Sequence, residues 1–246
     1  MPDWDIAIYD VLDSTQSLLI NEAESGVPEG RVIQAKRQEH GRGRHGNHWA
    51  SPPGNLYCSL LLRPGYAAHE GQWASLSYCA GLGLARTLSA HVGQRADIRL
   101  KWPNDILINN KKVSGILLDM QLRANKPDWV VIGVGVNVDD SLDSGTYLNA
   151  HCNINVFIDQ IRDEFLYLFS SIYKDWIRFG FVPFHDQWLS YAPDLQGRIT
   201  ARTQYGEIVG TFVELDQSGA LCLRDDAEQL HKITAGDIHN VRDVSF

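Results

Sequence analysis

Gly41-Arg42-Gly43-Arg44-His45-Gly46-Asn47-His48-Trp49 packs three glycines, two arginines, two histidines and a tryptophan into nine residues. Apolar, strand-like runs flank it, Arg31 to Gln38 before and Leu56 to Leu62 after. The segment therefore reads as a loop slung between two strands, with Pro52-Pro53-Gly54 tightening its exit. No core can use such a sequence. Its glycines permit positive φ and inward-turned N–H groups, which is how a loop cradles an anion. Arg42 and Arg44 add fork-shaped donors for phosphate or carboxylate. The alternative is a mobile basic hairpin tip, and Trp49 weighs against it. An aromatic just after such a loop is placed to cover a flat ligand such as a purine, or else to anchor the loop on the core.

Working outward, Trp4 to Leu12 alternates in the manner of a strand. Asp13-Ser14-Thr15-Gln16 then reads as a helix start, with an Asp or Ser cap and Gln16 in capping-box position after Asp13. Leu18, Leu19 and Ala23 would face inward. From His69 to His91 apolar residues recur at helical spacing and predict one long amphipathic helix. Ile98 to Trp102 is a short strand stopped by Pro103. Ile106 to Ile108 and Val113 to Leu122 flank Asn109-Asn110-Lys111, which predicts a hairpin with Asn at positive φ. Trp129 to Val138 is strand-like, and Gly133 and Gly135 fall on one face of it, where another backbone or a ligand must come close. Asn153 to Trp188 predicts aromatic-rich helices. After Pro193 come short β runs at Arg198 to Thr203, Glu207 to Glu214, Ala220 to Arg224 and His239 to Val241, the pattern of a small barrel. The expected division is residues 1–192 and 193–246.

The net charge of −8 and pI near 5.5 exclude a general nucleic-acid binder. Residues 1–30 carry seven acids and no Lys or Arg, whereas Arg31, Lys36, Arg37, Arg42 and Arg44 crowd the next fifteen. Such concentration suits a small anionic ligand better than a polyanion. Cys58, Cys79, Cys152 and Cys222 lack metal-site or CxxC spacing and read as reduced thiols of a cytoplasmic protein. No structural metal is expected. No apolar run approaches the roughly 18 residues of a membrane span.

Lys101-Trp102-Pro103-Asn104-Asp105 is the second informative stretch. It sets a lysine, an amide and a carboxylate where a strand stops, which is either an ordinary turn or a functional one on a rigid scaffold. Of Lys111 and Lys112, successive on a strand, at most one can point into the same cavity.

Together these motifs resemble one family, the biotin protein ligases. The resemblance rests on Asp13 to Gln16, Gln38 with Gly41 to Gly46 and Trp49, Lys101 to Asp105, Lys112 to Leu117 and Gly133 to Asn137, in order and spacing. It implies an α+β fold, a mixed β-sheet flanked by helices and related to class II tRNA synthetase catalytic domains, with a small C-terminal SH3-like barrel. It also implies two half-reactions: biotin and MgATP give biotinyl-AMP, and a lysine of an apo biotin carboxyl carrier domain then takes the biotinyl group.

Carried onto this sequence, the resemblance puts Ser14, Thr15, Gln16 and Gln38 at the biotin head group and Gly133 beside biotin. Arg42, Gly43 and Arg44 belong to the closing loop, and Trp49 lies near adenine. Lys101, Asn104 and Asp105 contact nucleotide and phosphate, with Asn137 on the nucleotide side. Lys112 is the ligand lysine, three residues before Gly115. Arg42, Arg44, Lys101, Asp105 and Lys112 would carry catalysis. Gln16 replaces the common Asn, and Asn47 and His48 stand where basic residues are frequent. Only twelve residues precede Asp13, too few for the winged helix with which some members bind operator DNA, so no DNA binding is expected. A lipoate or octanoate ligase of the same fold, or a non-catalytic binder, is the alternative, and a homodimer stays open.

Overall fold

The computed structural model describes residues 2–65, 72–124, 126–141, 145–195, 197–234 and 236–240. Seven strands form one mixed sheet: β1 (Asp5–Leu12), β2 (Arg31–Gln38), β3 (Leu56–Leu62), β4 (Ile98–Lys101), β5 (Asp105–Ile108), β6 (Lys111–Arg123) and β7 (Lys126–Val136). Their spatial order is β1-β2-β3-β7-β6-β5-β4. Only β1 and β2 pair in parallel, because a helical crossover, α1 (Thr15–Glu24), joins them; hairpins and antiparallel ladders make the rest.

The back of the sheet is covered by α2 (Ser75–Val92) and α3 (Ile158–Phe179). Leu56, Cys58, Leu60 and Leu62, at alternate positions of β3, join Leu84, Leu88, Phe165, Phe169 and Trp176 in the main core. Each such side chain, fully buried, stabilises by about 1.5–3 kcal/mol. The expected helix from His69 is shorter than its pattern. Trp73 is buried in the turn before Ser75, and His69 to Gly71 lie outside the described residues. A short helix, α4 (His185–Ser190), follows α3.

The chain ends in a five-stranded antiparallel sheet of β8 (Arg198–Thr203), β9 (Gly206–Leu215), β10 (Leu221–Arg224), β11 (Leu230–Ile233) and β12 (Asp237–Asn240), in the order β11-β10-β9-β8-β12. This is the small β unit expected, with β11 as a strand that its mixed sequence did not announce. Val241 lies outside the described residues. The apolar face of this sheet, including Ile199, Leu215 and Leu221, belongs to the same contiguous core as Trp102 and Trp188. Trp102 Nε1 also donates to Gly219 O at 3.1 Å, tying the turn before β10 to the end of β4.

On the front of the seven-stranded sheet, α1 covers only part. Leu19 and Ala23 pack on Ile33, Leu61, Trp129 and Val131. Beyond them the sheet is scooped out by glycines, which leaves the cavity described next.

Candidate active site

Cross-strand register lays the front face out in rows. Tyr57, Gly135, Gly115 and Asp105 lie side by side across β3, β7, β6 and β5; Ser59, Gly133 and Leu117 form the next row; Leu61, Val131 and Asp119 the third. The expected close approach at the glycines is real at both. A Cβ on Gly133 would stand 2.6 Å from Gln16 Oε1, and one on Gly135 would stand 2.7 Å from Trp49 Cε2. The Trp49 indole sits over the Gly115–Gly135 pair, its Nε1 buried and without a hydrogen-bond partner among the described residues. The cavity this creates measures about 170 Å³.

Its floor comes from the start of α1. Ser14 caps the helix and accepts from Ser17 N at 3.4 Å. Gln16 does not complete a capping box. Its amide turns into the sheet, donating to Asp119 Oδ2 at 3.0 Å and Val131 O at 3.2 Å and accepting from Ser59 Oγ at 2.9 Å. With Ser14 as the cap, Gln16 stands one residue short of the box position, and the Ser59 hydroxyl takes the amide oxygen that a box would offer to a backbone N–H. Gln38 Oε1 receives the Thr15 N–H at 2.8 Å, and its Nε2 donates to Ser51 Oγ at 2.9 Å.

The roof is the glycine loop. Arg42 and His48 form a bridge, Gly43 N donates to Asn47 O at 2.7 Å, and Asn47 N donates to Arg44 O at 3.0 Å. The positive φ expected of the glycines falls on Gly46 and on His45, at 76° and 56°. Gly41 serves close approach instead, since a Cβ there would lie 2.3 Å from Trp49 O. Arg44 Nη1 reaches Asn104 Oδ1 and Gly236 O, each at 3.3 Å, and stands 3.9 Å from Asp237 Oδ1. One guanidinium thus ties the loop to the turn after β4 and to the C-terminal sheet. Arg42 Nη2 sits 3.4 Å from Asp119 Oδ2.

Lys112 enters the site because β6 carries a bulge. Gly115 pairs with Asp105 and Ser114 with Ile106, yet Leu107 faces Lys112 rather than Val113. Strict alternation from Gly115 would have put Lys111 on the cavity face. The extra residue reverses that parity, so Val113 turns into the core and Lys112 stands 2.7 Å from Asp105 Oδ1. Its ammonium also lies 5.2 Å from the Trp49 ring centroid. Lys111 pairs with Ile108 on the helix-covered face.

The cavity gathers Ser14, Thr15, Gln16, Gln38, Arg42, Gly43, Arg44, Trp49, Asn104, Asp105, Lys112, Gly115 and Gly133. Two expected residues lie outside its lining. Lys101 is the cross-strand partner of Asp105, one strand nearer the sheet edge. Asn137 braces the bulge from behind: its N donates to Val113 O at 2.8 Å, and its side chain to Thr146 O at 3.2 Å, while Thr146 N holds Lys112 O at 2.8 Å. Reading the sequence missed Tyr57, Ser59, His45 and Asp237, which also line the cavity. A serine inside the apolar run Leu56 to Leu62 was the available signal for Ser59; nothing local marks Asp237. Burial pushes the Tyr57 phenol and the Cys58 thiol each up to about 12, so neither is charged at neutral pH.

A profile of the Biotin/lipoate A/B protein ligase family matches residues 8–137, and one of the Biotin protein ligase C terminal domain matches residues 198–239. The chain belongs to the biotin protein ligase family. The Bacillus subtilis bifunctional ligase/repressor BirA is 34% identical over 239 residues, spanning 94% of this chain and 72% of its own. A biotin acetyl-CoA-carboxylase ligase of Paracoccus denitrificans is 34% identical over 226 residues, 87% of this chain and 92% of its own. Among solved structures, the biotin protein ligase from Aquifex aeolicus in complex with biotin and ATP aligns with a TM-score of 0.79 at 26% identity, covering 96% of this chain and 97% of that one. The biotin ligase profiles thus cover the two sheets that Arg44 and Trp102 join.

Proposed function

We propose that this ligase activates biotin with ATP to biotinyl-AMP and transfers the biotinyl group to a lysine of a biotin carboxyl carrier domain, with residues 1–192 as the catalytic unit and 193–246 as a small β unit. The observation that carries this reading is the juxtaposition, within one cavity, of a polar floor (Thr15, Ser59, Gln38), a glycine slot wide enough for a planar ring, and a rim of cations (Arg42, Arg44, Lys112).

In the first step a carboxylate oxygen attacks the α-phosphorus, and the bond to pyrophosphate breaks. Both reactants are anionic, so attack requires neutralising charge. A preorganised donor contributes roughly 2.7–4 kcal/mol to such a transition state, and alignment of the two reactants contributes about 7–11 kcal/mol more. The nucleotide would enter as its magnesium complex, the ion neutralising phosphate charge. Trp49 must leave the glycine slot for an adenine or a ligand chain to occupy it. The loop from Gly41 to Trp49 then closes and keeps water from the adenylate. In the second step the acceptor amine attacks the acyl carbon and AMP departs, with Asp105 as the carboxylate placed to orient the amine and receive its proton. No helix among the described residues is long and apolar enough to cross a membrane, and we place the reaction in the cytoplasm.

Pyrophosphate release from ATP, measured separately with biotin, lipoate and octanoate, tests the substrate. Release with biotin, followed by a mass increase of one biotinyl group on a purified apo carrier domain, is the expected result. Release with lipoate or octanoate alone would refute it.

A further inference from the structure

Hydrogen counting along the pocket floor gives the network a direction. Gln16 Nε2 lies against two groups that can only accept, the Asp119 carboxylate at 3.0 Å and Val131 O at 3.2 Å, so the NH₂ end of the amide must face them and both its hydrogens are used. Gln16 Oε1 then accepts from Ser59 Oγ at 2.9 Å. Ser59 has a single hydrogen, now committed to Gln16, so at its 2.9 Å contact with Thr15 Oγ1 it can only accept, and the one Thr15 hydrogen is shared between Ser59 Oγ and Gln38 Oε1 at 3.1 Å. The fixed line runs Ser59 to Gln16 to Asp119, each donor pointing toward a carboxylate that has nothing to give back, and the Thr15 hydrogen is spent on Ser59 or Gln38 and not on the cavity. The ligand side of Thr15 and Ser59 therefore presents lone pairs, the complement of ring N–H groups. Gln16, Ser59 and Thr15 are all buried, so this polarity is not averaged by water. Asp119 Oδ2 is also the atom that Arg42 of the roof approaches, at 3.4 Å.

We infer that Asp119 is a positioning residue for the ureido head group: through Gln16 it fixes which way the floor's hydrogen bonds run. This rests on the biotin reading above. Asp119 neither lines the cavity nor needs to touch the ligand. Its carboxylate acts because it cannot donate. An isosteric amide could donate to Gln16 Oε1, turn the Gln16 amide over, leave Val131 O without its donor, and swing the Ser59 hydrogen toward the ligand.

Asp119→Asn tests this, measured beside wild type by pyrophosphate release with biotin and ATP varied in turn, and by thermal melting. The KM for biotin should rise about tenfold or more, the cost of one reversed buried hydrogen bond, while the KM for ATP stays within about twofold. Gln16→Met removes the amide through which Asp119 acts, so adding Asp119→Asn to it should raise the biotin KM no further. Equal rises in both KM values, or additive effects in the double variant, would overturn the inference. A wild type inactive with biotin would overturn the substrate reading and this inference with it. An active wild type beside a variant of unchanged biotin KM would overturn this inference alone.

Discussion

Replacing Lys112 with Ala, beside Lys111→Ala as its partner experiment, separates catalysis from stability and tests the bulge at once. The Lys112 ammonium stands 2.7 Å from Asp105 Oδ1, but the two side chains are 40% and 23% exposed. Solvent screens such a pair, so its loss costs the fold no more than about 0.2–1 kcal/mol. In the reaction the same ammonium faces the charge that develops on phosphorus, where one preorganised donor is worth about 2.7–4 kcal/mol, or roughly 10²–10³ in rate. Lys111, on the other face, is exposed and should change stability by less than about 0.5 kcal/mol, with activity within about twofold of wild type. Single-turnover formation of biotinyl-AMP from radiolabelled ATP reads the rate, and a thermal melt reads the fold. Equal rate losses in the two variants, with both melts unchanged, would show that Lys112 is not the cavity lysine and that the parity reasoning is wrong.

Gly135→Ala puts a Cβ 2.7 Å from the Trp49 ring; steady-state kinetics should show kcat/KM lowered about a hundredfold, as for an ångström-scale misplacement, with the melting temperature little changed. Unaltered kinetics would mean that the slot is not used. Arg44→Gly removes the tie from the loop to Asn104 and Gly236, so the closed state is less populated while Lys112 still supports adenylate formation. Biotinyl-AMP should escape, and a biotin blot should show labelled serum albumin; a variant making adenylate at the normal rate without extra labelling would exclude the lock. At Asp216 burial opposes the charge, but Lys232, the Ser218 hydroxyl and the N–H groups of Ala220 and Ser218 outweigh it and hold the carboxyl below its ordinary 3.8. A depressed pKa gives stability that is present above that value and lost as pH falls through the lower, folded one. Asp216→Asn should therefore melt earlier at pH 7 and lose less than wild type as pH falls below about 4; parallel pH profiles would refute this.

The strands around the site were legible because the front face is built on simple signals. Leu56 to Leu62 is apolar but for Ser59 since both faces of β3 are covered, Asn109 and Asn110 mark a turn with φ of 50° and 65°, and alternate glycines on β7 announced a close neighbour. What stayed hidden depends on counts and contacts that no local pattern carries. Periodicity read back from Gly115 selects Lys111; only the family resemblance favoured Lys112, and the bulge supplies the physical reason. Gln16 has the spacing of a capping box, but its partners come from β6, β7 and β3, more than forty residues away. The family resemblance assigns Asn137 to the nucleotide side; in the structure its N–H and side-chain amide hydrogens brace the backbone at Val113 and Thr146, a role that no local pattern announces.

Anyone transplanting this lysine into another sheet would have to carry four residues, Lys112-Val113-Ser114-Gly115, and not one. Placed three positions before a floor glycine on a regular strand, a lysine would point into the scaffold's own core. Placed two positions before, it would face the cavity without the loop contacts at Val113 O and Lys112 O that hold it there. The motif also brings its own liability, because Ser114 is fully buried with no hydrogen-bond partner for its hydroxyl among the described residues. Portability of this chemistry is therefore limited by backbone count, and a graft judged by side-chain identity alone would be inert.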